Sequence, residues 1–162
     1  MMRISIKIFF LVILFAEFIS AQSVRKLNND GVDLYEQKKY ADAEVNFRKV
    51  LEKNADDFIS NFNLGDSYYK QQKYDEAIKS YQNALGKTND DLSKAKVYHN
   101  IGNSLLKANK IEESIEAYKN ALKLNPNDSS KPSFLFRRTK NGDFLSEIKN
   151  SIINSSNAGI KR

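Results

Sequence analysis

Glycines at positions 31, 65 and 102 anchor three segments of this 162-residue chain in one register, and that register constrains the fold more than any other feature. The first two lie 34 residues apart and the next two 37. Three residues after each glycine stand Leu34, Tyr68 and Leu105. Twelve after come the small residues Ala43, Ala77 and Ser114. Sixteen after come the aromatics Phe47, Tyr81 and Tyr118, and nineteen after come Val50, Ala84 and Ala121. Self-similarity at this period marks stacked supersecondary units, none of which can bury its apolar face alone.

The spacing within each segment is helical. Leu64, Tyr68 and Tyr69 share one face, as do Ala77, Ile78, Tyr81, Ala84 and Leu85, at steps of three and four. Gly65 and Ala77 are small where two helices of one segment must approach closely. Ala84 and Ala121 are small where a second helix must meet the next segment, and the aromatics fill the space between. Helices of about 14 residues are marginal alone, so stacking must supply the stability. Gln71-Gln72-Lys73 and Ala108-Asn109-Lys110 have the length of helix–helix connections. Only two prolines and six glycines argue against a turn-rich β fold.

This pattern resembles the tetratricopeptide repeat, a helix–turn–helix unit, over about residues 24–128. The second copy carries it most fully, with Asn61, Leu64, Gly65, Tyr68, Ala77, Tyr81 and Ala84; the third ends on Pro126, at the family's helix-stopping proline. The first departs, with Asp30 for Leu and Ala55 for Pro. The resemblance implies an all-α fold: a helical solenoid of three helix–turn–helix repeats, at 24–57, 58–91 and 95–128, with a short C-terminal capping helix or tail. It also implies a partner-binding concave groove made by the first helices. The groove positions are Asn28, Val32 and Tyr35; Phe62, Asn63, Asp66, Tyr69 and Lys70; and Lys96, His99, Asn103 and Leu106. Phe62 and Tyr69 are rigid aromatics of the kind that anchors partners, or else pack against neighbouring helices. Some family members clamp a partner's terminal carboxylate with five residues. Asn63 and Lys96 match two of them, whereas Asn28, Val32 and Asn100 replace Lys, Asn and Arg, so that clamp is absent.

A narrower resemblance rests on the runs Asn61 to Lys70 and Lys94 to Leu105 and the longer spacer before the second. They look like the envelope repeat proteins of the bacterial Bat aerotolerance system, which implies partners with von Willebrand factor A-type domains. The extra residues of that spacer, around Gly86 to Ser93, read as a tolerated surface insertion, a longer first helix in the third repeat, or a binding loop. Asn89, Asp90 or Asp91 can cap the helix that follows.

Residues 1–21 read as a cleaved signal peptide: Arg3 and Lys7 precede nine apolar residues from Ile8 to Ala16, and Ala21 suits a cut before Gln22. The run is too short to span a bilayer, which takes about 20 apolar residues. Export, to a bacterial periplasm, is therefore expected. At the other end the repeat pattern stops at Pro126. Residues 129–162 form a basic tail with helical spacing over 143–153. It reads as a cap for the last repeat, or as a basic-apolar patch of Phe134, Phe136, Arg137, Arg138 and Lys140 for membrane or partner contact.

The net charge of +6 invites a nucleic-acid reading. Its distribution removes that reading: residues 24–128 hold 17 basic and 17 acidic side chains, and the tail holds seven basic against two acidic. No nucleic-acid partner is expected for the repeats. The chain lacks cysteine and has one histidine, His99, so a thiolate nucleophile, a zinc–thiolate site and a histidine-based metal site or triad have no basis. No phosphate-binding loop, zincin or nucleophile-elbow motif occurs. Carboxylate pairs such as Asp56-Asp57, Asp90-Asp91 and Glu112-Glu113 sit at helix starts, where they complement helix dipoles. The expectation is a binding protein without catalytic activity, metal or cofactor, serving a peptide or protein surface. His99 is a groove-wall side chain that can meet a ligand carboxylate or sense pH.

Overall fold

A computed structural model describes residues 22–126. The expected signal peptide at 1–21 and the tail, with the helix expected at 143–153 and the expected basic-apolar patch, lie outside the described residues. Those described form six helices and no strand: α1 over 22–36, α2 Tyr40–Lys53, α3 Phe58–Lys70, α4 Tyr74–Leu85, α5 Asp91–Lys107 and α6 Ile111–Leu124. This is the all-α helix–turn–helix class. The chain divides into two compact units between Lys87 and Thr88. The first holds the hairpins α1/α2 and α3/α4, and the second holds α5/α6.

The glycine frame places close contacts inside each hairpin. Phe47, Tyr81 and Tyr118 project from the second helices and are almost wholly buried. Each lies against the glycine of its own first helix: a methyl group on Gly31, Gly65 or Gly102 would come within 2.8, 2.5 or 2.8 Å of the ring. A ring therefore occupies the space a side chain would take, which fixes the spacing of each helix pair. Ala43, Ala77 and Ser114, one helical turn before the rings, are completely buried. Unlike the alanines, Ser114 carries a buried hydroxyl Oγ with no hydrogen-bond partner.

The three hairpin turns have one conformation. Lys38, Gln72 and Asn109 have φ of 63°, 63° and 62°, the left-handed region in which glycine usually closes a helix. Around each, the next amide donates back five residues: Lys39 to Leu34, Lys73 to Tyr68 and Lys110 to Leu105, at 2.8 to 2.9 Å. This is a Schellman closure made without glycine. The helices that follow begin at Lys39, Lys73 and Lys110, which form no side-chain cap. Acidic residues in the first turn, Asp42, Asp75 with Glu76, and Glu112 with Glu113, meet the helix dipole instead.

The starts of α3 and α5 are capped differently. Asp57 accepts the Ser60 amide at 2.7 Å and Asp90 accepts the Ser93 amide at 2.8 Å. Hydrogen bonds from Ser93, first from its side chain and then from its amide, hold the Asp90 carboxyl below its usual value of 3.8. The extra residues before the third repeat are taken up in α5, which has 17 residues against 13 in α3. This corrects the surface-insertion reading in favour of the longer helix. Asp90 lets α5 start early, and Leu92, in its first turn, is 56% exposed.

Candidate functional site

The predicted groove residues divide between the two units. In the first, α1 carries Asn28, Val32 and Tyr35, and α3 carries Phe62, Asn63, Asp66, Tyr69 and Lys70. Lys70 is exposed and the other seven are partly buried. In the second, α5 carries Lys96, which is exposed, and His99, Asn103 and Leu106, which are partly buried. Val32, Tyr35, Asn63 and Asp66 come together: with the edge of Phe47 they line a pocket of about 50 Å³.

The half-exposed aromatics are held by neighbouring rings. Phe62 lies 6.0 Å from Phe58 and meets the Tyr81 ring edge-on at 5.6 Å. Tyr35 is edge-on to Tyr40 at 5.2 Å, and Tyr69 repeats that arrangement with Tyr74 at 5.6 Å. Packing and display thus coexist, because one edge of each ring is fixed while the residue keeps part of its surface open. Burial, then the charge of Asp66, then Tyr40, push the Tyr35 hydroxyl up to about 12. Burial and Tyr74 also raise that of Tyr69. Both phenols stay neutral hydrogen-bonding groups over any ordinary pH range.

In the second and third hairpins the residue after the frame glycine is tied to the ring across the hairpin. Tyr81 donates its hydroxyl to Asp66 Oδ1 at 2.5 Å, and Tyr118 donates to Asn103 Oδ1 at 2.6 Å. With its oxygen facing Tyr118, the Asn103 amide turns its nitrogen to His99 Nδ1, 3.2 Å away. His99 also lies edge-on to Tyr118 at 5.5 Å. It is therefore a side chain positioned by Asn103 and Tyr118. In the first hairpin neither member of the couple is present: Val32 faces the buried ring of Phe47, which has no hydroxyl.

The sequence reading did not foresee these hydrogen bonds. Their signal lay in the register, since acceptors occur one residue after the glycine only where the sixteenth is tyrosine. It also missed a second cleft in the first unit, of about 450 Å³, whose lining includes Leu64 and Tyr68 of α3 between Arg48 of α2 and Lys79 of α4. There Arg48 donates to the Tyr68 hydroxyl at 3.0 and 2.5 Å. Among the described residues, no cluster of three or more histidine or acidic side chains could hold a metal ion.

Comparison with known proteins gives a consistent result. Two models described as tetratricopeptide repeat match residues 30–91 and 95–128, together more than half of the chain. No curated protein matches by sequence. Among solved structures, MamA of AMB-1 is 28% identical, with a TM-score of 0.60, covering 67% of this chain and 63% of its own. The Yersinia enterocolitica type III secretion translocator chaperone SycD is 21% identical, with a TM-score of 0.63 over 89% of this chain and 98% of its own. The first repeat domain of Spaghetti (RPAP3), solved bound to the HSP90 peptide SRMEEVD, is 20% identical, with a TM-score of 0.63 over 83% and 93%.

Proposed function

Because the chain belongs to the tetratricopeptide repeat family, we propose that it is a protein-interaction scaffold without catalytic activity, binding a peptide or protein segment on the first helices of its hairpins. The observation that carries this is the set of partly exposed rings Tyr35, Phe62 and Tyr69, each fixed by a neighbouring ring. Such rings offer apolar contact with little conformational entropy left to lose on binding. A peptide-bound relative, the Spaghetti domain with SRMEEVD, is consistent with this mode. An acidic carboxyl-terminal tail of that type is nevertheless a poor occupant here. Of the five clamp positions only Lys96 is charged. The test is capture of partners from envelope extract with wild type and with Phe62→Ala plus His99→Ala. The double variant should lose the partner, and equal recovery would refute the assignment.

Export is part of the proposal, supported by the basic start and apolar run of residues 1–21. The aerotolerance resemblance would make the partners envelope proteins with von Willebrand factor A-type domains. Genes for such proteins beside this one would support it, and their absence would count against it. A second reading gives the basic tail its own contact with a membrane or polyanion, favoured by the concentration of positive charge beyond residue 128. Vesicle binding that survives deletion of 131–162 would remove it.

A further inference from the structure

The first hairpin differs from the other two at one layer, and a pocket lies at that layer beside a carboxylate. In the α3/α4 and α5/α6 hairpins a tyrosine hydroxyl meets an acceptor on the first helix. In α1/α2 both positions are apolar, Val32 and Phe47, and both border the 50 Å³ pocket. Tyr35 and Asn63 form other parts of its lining, and Asp66 is its one charged wall. The carboxylate there acts on its surroundings, since its charge helps to raise the Tyr35 hydroxyl.

Resting on the peptide-binding reading above, we infer that this face selects a partner segment by a basic residue, a lysine or arginine whose charged head meets Asp66 and whose aliphatic stem lies over Val32 and Tyr35. Three features fit that chemistry. The carboxylate supplies the opposite charge, and Asn63 supplies an amide beside it. The Tyr35 face and Val32 supply apolar and cation–π surface for the stem and head. Lys70, one turn further along α3, does not border the pocket, so the charge on the pocket's own lining is that of Asp66 alone. The preference is opposite in sign to that of a carboxylate clamp.

The hairpin α5/α6 provides a clean variant. Asn103 stands at the position of Asp66 and holds its tyrosine through the same kind of oxygen, so Asp66→Asn removes the charge and keeps an acceptor for Tyr81. The experiment selects random linear peptides displayed on phage against the protein. Winning peptides should be enriched in lysine or arginine at one position. A synthetic winner should bind about tenfold more weakly to Asp66→Asn. The same loss should follow when its basic residue is replaced by glutamine, and the affinity should fall with added salt. Winners without basic enrichment, or an affinity indifferent to Asp66→Asn and to the glutamine peptide, overturn the inference. If those winners still lose affinity to Phe62→Ala, the binding face stands and only its charge preference falls. Failure to select any peptide, or winners unaffected by Phe62→Ala, overturns both. Melting curves of the two variants confirm that each is folded.

Discussion

Replacing Gly65 with alanine pits two effects of known sign against each other. Alanine is the better helix former by about 1 kcal/mol, so in an open helix the change would stabilise. Here the new methyl would stand 2.5 Å from Tyr81 Cε1 and 2.6 Å from Cδ1. Carbon atoms rest about 3.5 to 4.0 Å apart, so ring or helix must retreat by roughly 1 Å. The ring has little freedom to do so, because it is 1% exposed, bonded through its hydroxyl to Asp66 and held edge-on by Phe62. Overpacking costs about 1–3 kcal/mol, and so close an approach belongs at about 2–3, which the propensity gain of about 1 kcal/mol only partly offsets. We expect a net loss of about 1–2 kcal/mol, which for a domain of this size lowers Tm by roughly 5–15 °C. Thermal and urea unfolding followed by circular dichroism would measure it. Gly86→Ala is the control, because its methyl would meet nothing closer than Asn83 O at 3.6 Å and the backbone there is helical. It should be neutral or slightly stabilising. Truncating the ring in Gly65→Ala plus Tyr81→Leu should reduce the alanine's penalty below its value in the wild-type background. Gly65→Ala melting at or above wild type would refute the steric account of the glycine frame.

Three further outcomes are expected. Ser114→Ala should stabilise by about 1 kcal/mol in urea unfolding, because it removes a buried hydroxyl without a partner and restores the residue found at 43 and 77; destabilisation would show that the hydroxyl is satisfied in solution. Tyr81→Phe should cost about 1 kcal/mol and more than Tyr118→Phe, since its hydroxyl bonds a carboxylate rather than an amide, and equal neutral effects would deny these bonds any net role. Burial alone would raise the Glu44 carboxyl, but hydrogen bonds from Gln71 and Lys73, with the charges of Lys73 and Arg48, hold it below its usual 4.5. Its contribution is present above that value and is lost as pH falls through the lower folded one. Glu44→Gln should therefore flatten the acid limb of the stability profile, and an unchanged limb would contradict the assignment.

The sequence made the hairpins legible because the glycine, the small residue and the aromatic answer one steric demand that recurs three times. The turns at 71–73 and 108–110 were readable for the same reason, although nothing in Lys38 or Gln72 announces a left-handed backbone. That conformation is imposed by the helices on either side. The longer α5 was less legible, because a polar spacer suits a loop as well as a helix until the cap at Asp90 is seen. Of the candidate site, the positions on the first helices could be read from the repeat. The pocket could not, since its lining joins residues of two hairpins, Val32, Tyr35 and Phe47 with Asn63 and Asp66, and a period within one repeat does not report how two repeats meet.

The tyrosine–acceptor couple has a bearing on how such a chain came to be. Its two members sit fifteen residues apart on different helices, as Asp66 with Tyr81 and Asn103 with Tyr118. A duplication that copied a single helix would have parted them and left a buried hydroxyl facing an unsuitable neighbour. The unit that keeps the couple together is therefore the whole hairpin: a break at a link between hairpins preserves both members, whereas one at the tight turn within a hairpin parts them. The apolar first hairpin obeys the same rule, since both of its members differ together. A recombined array that respects these borders inherits its internal matches intact, while its outward-facing residues remain at liberty to diverge.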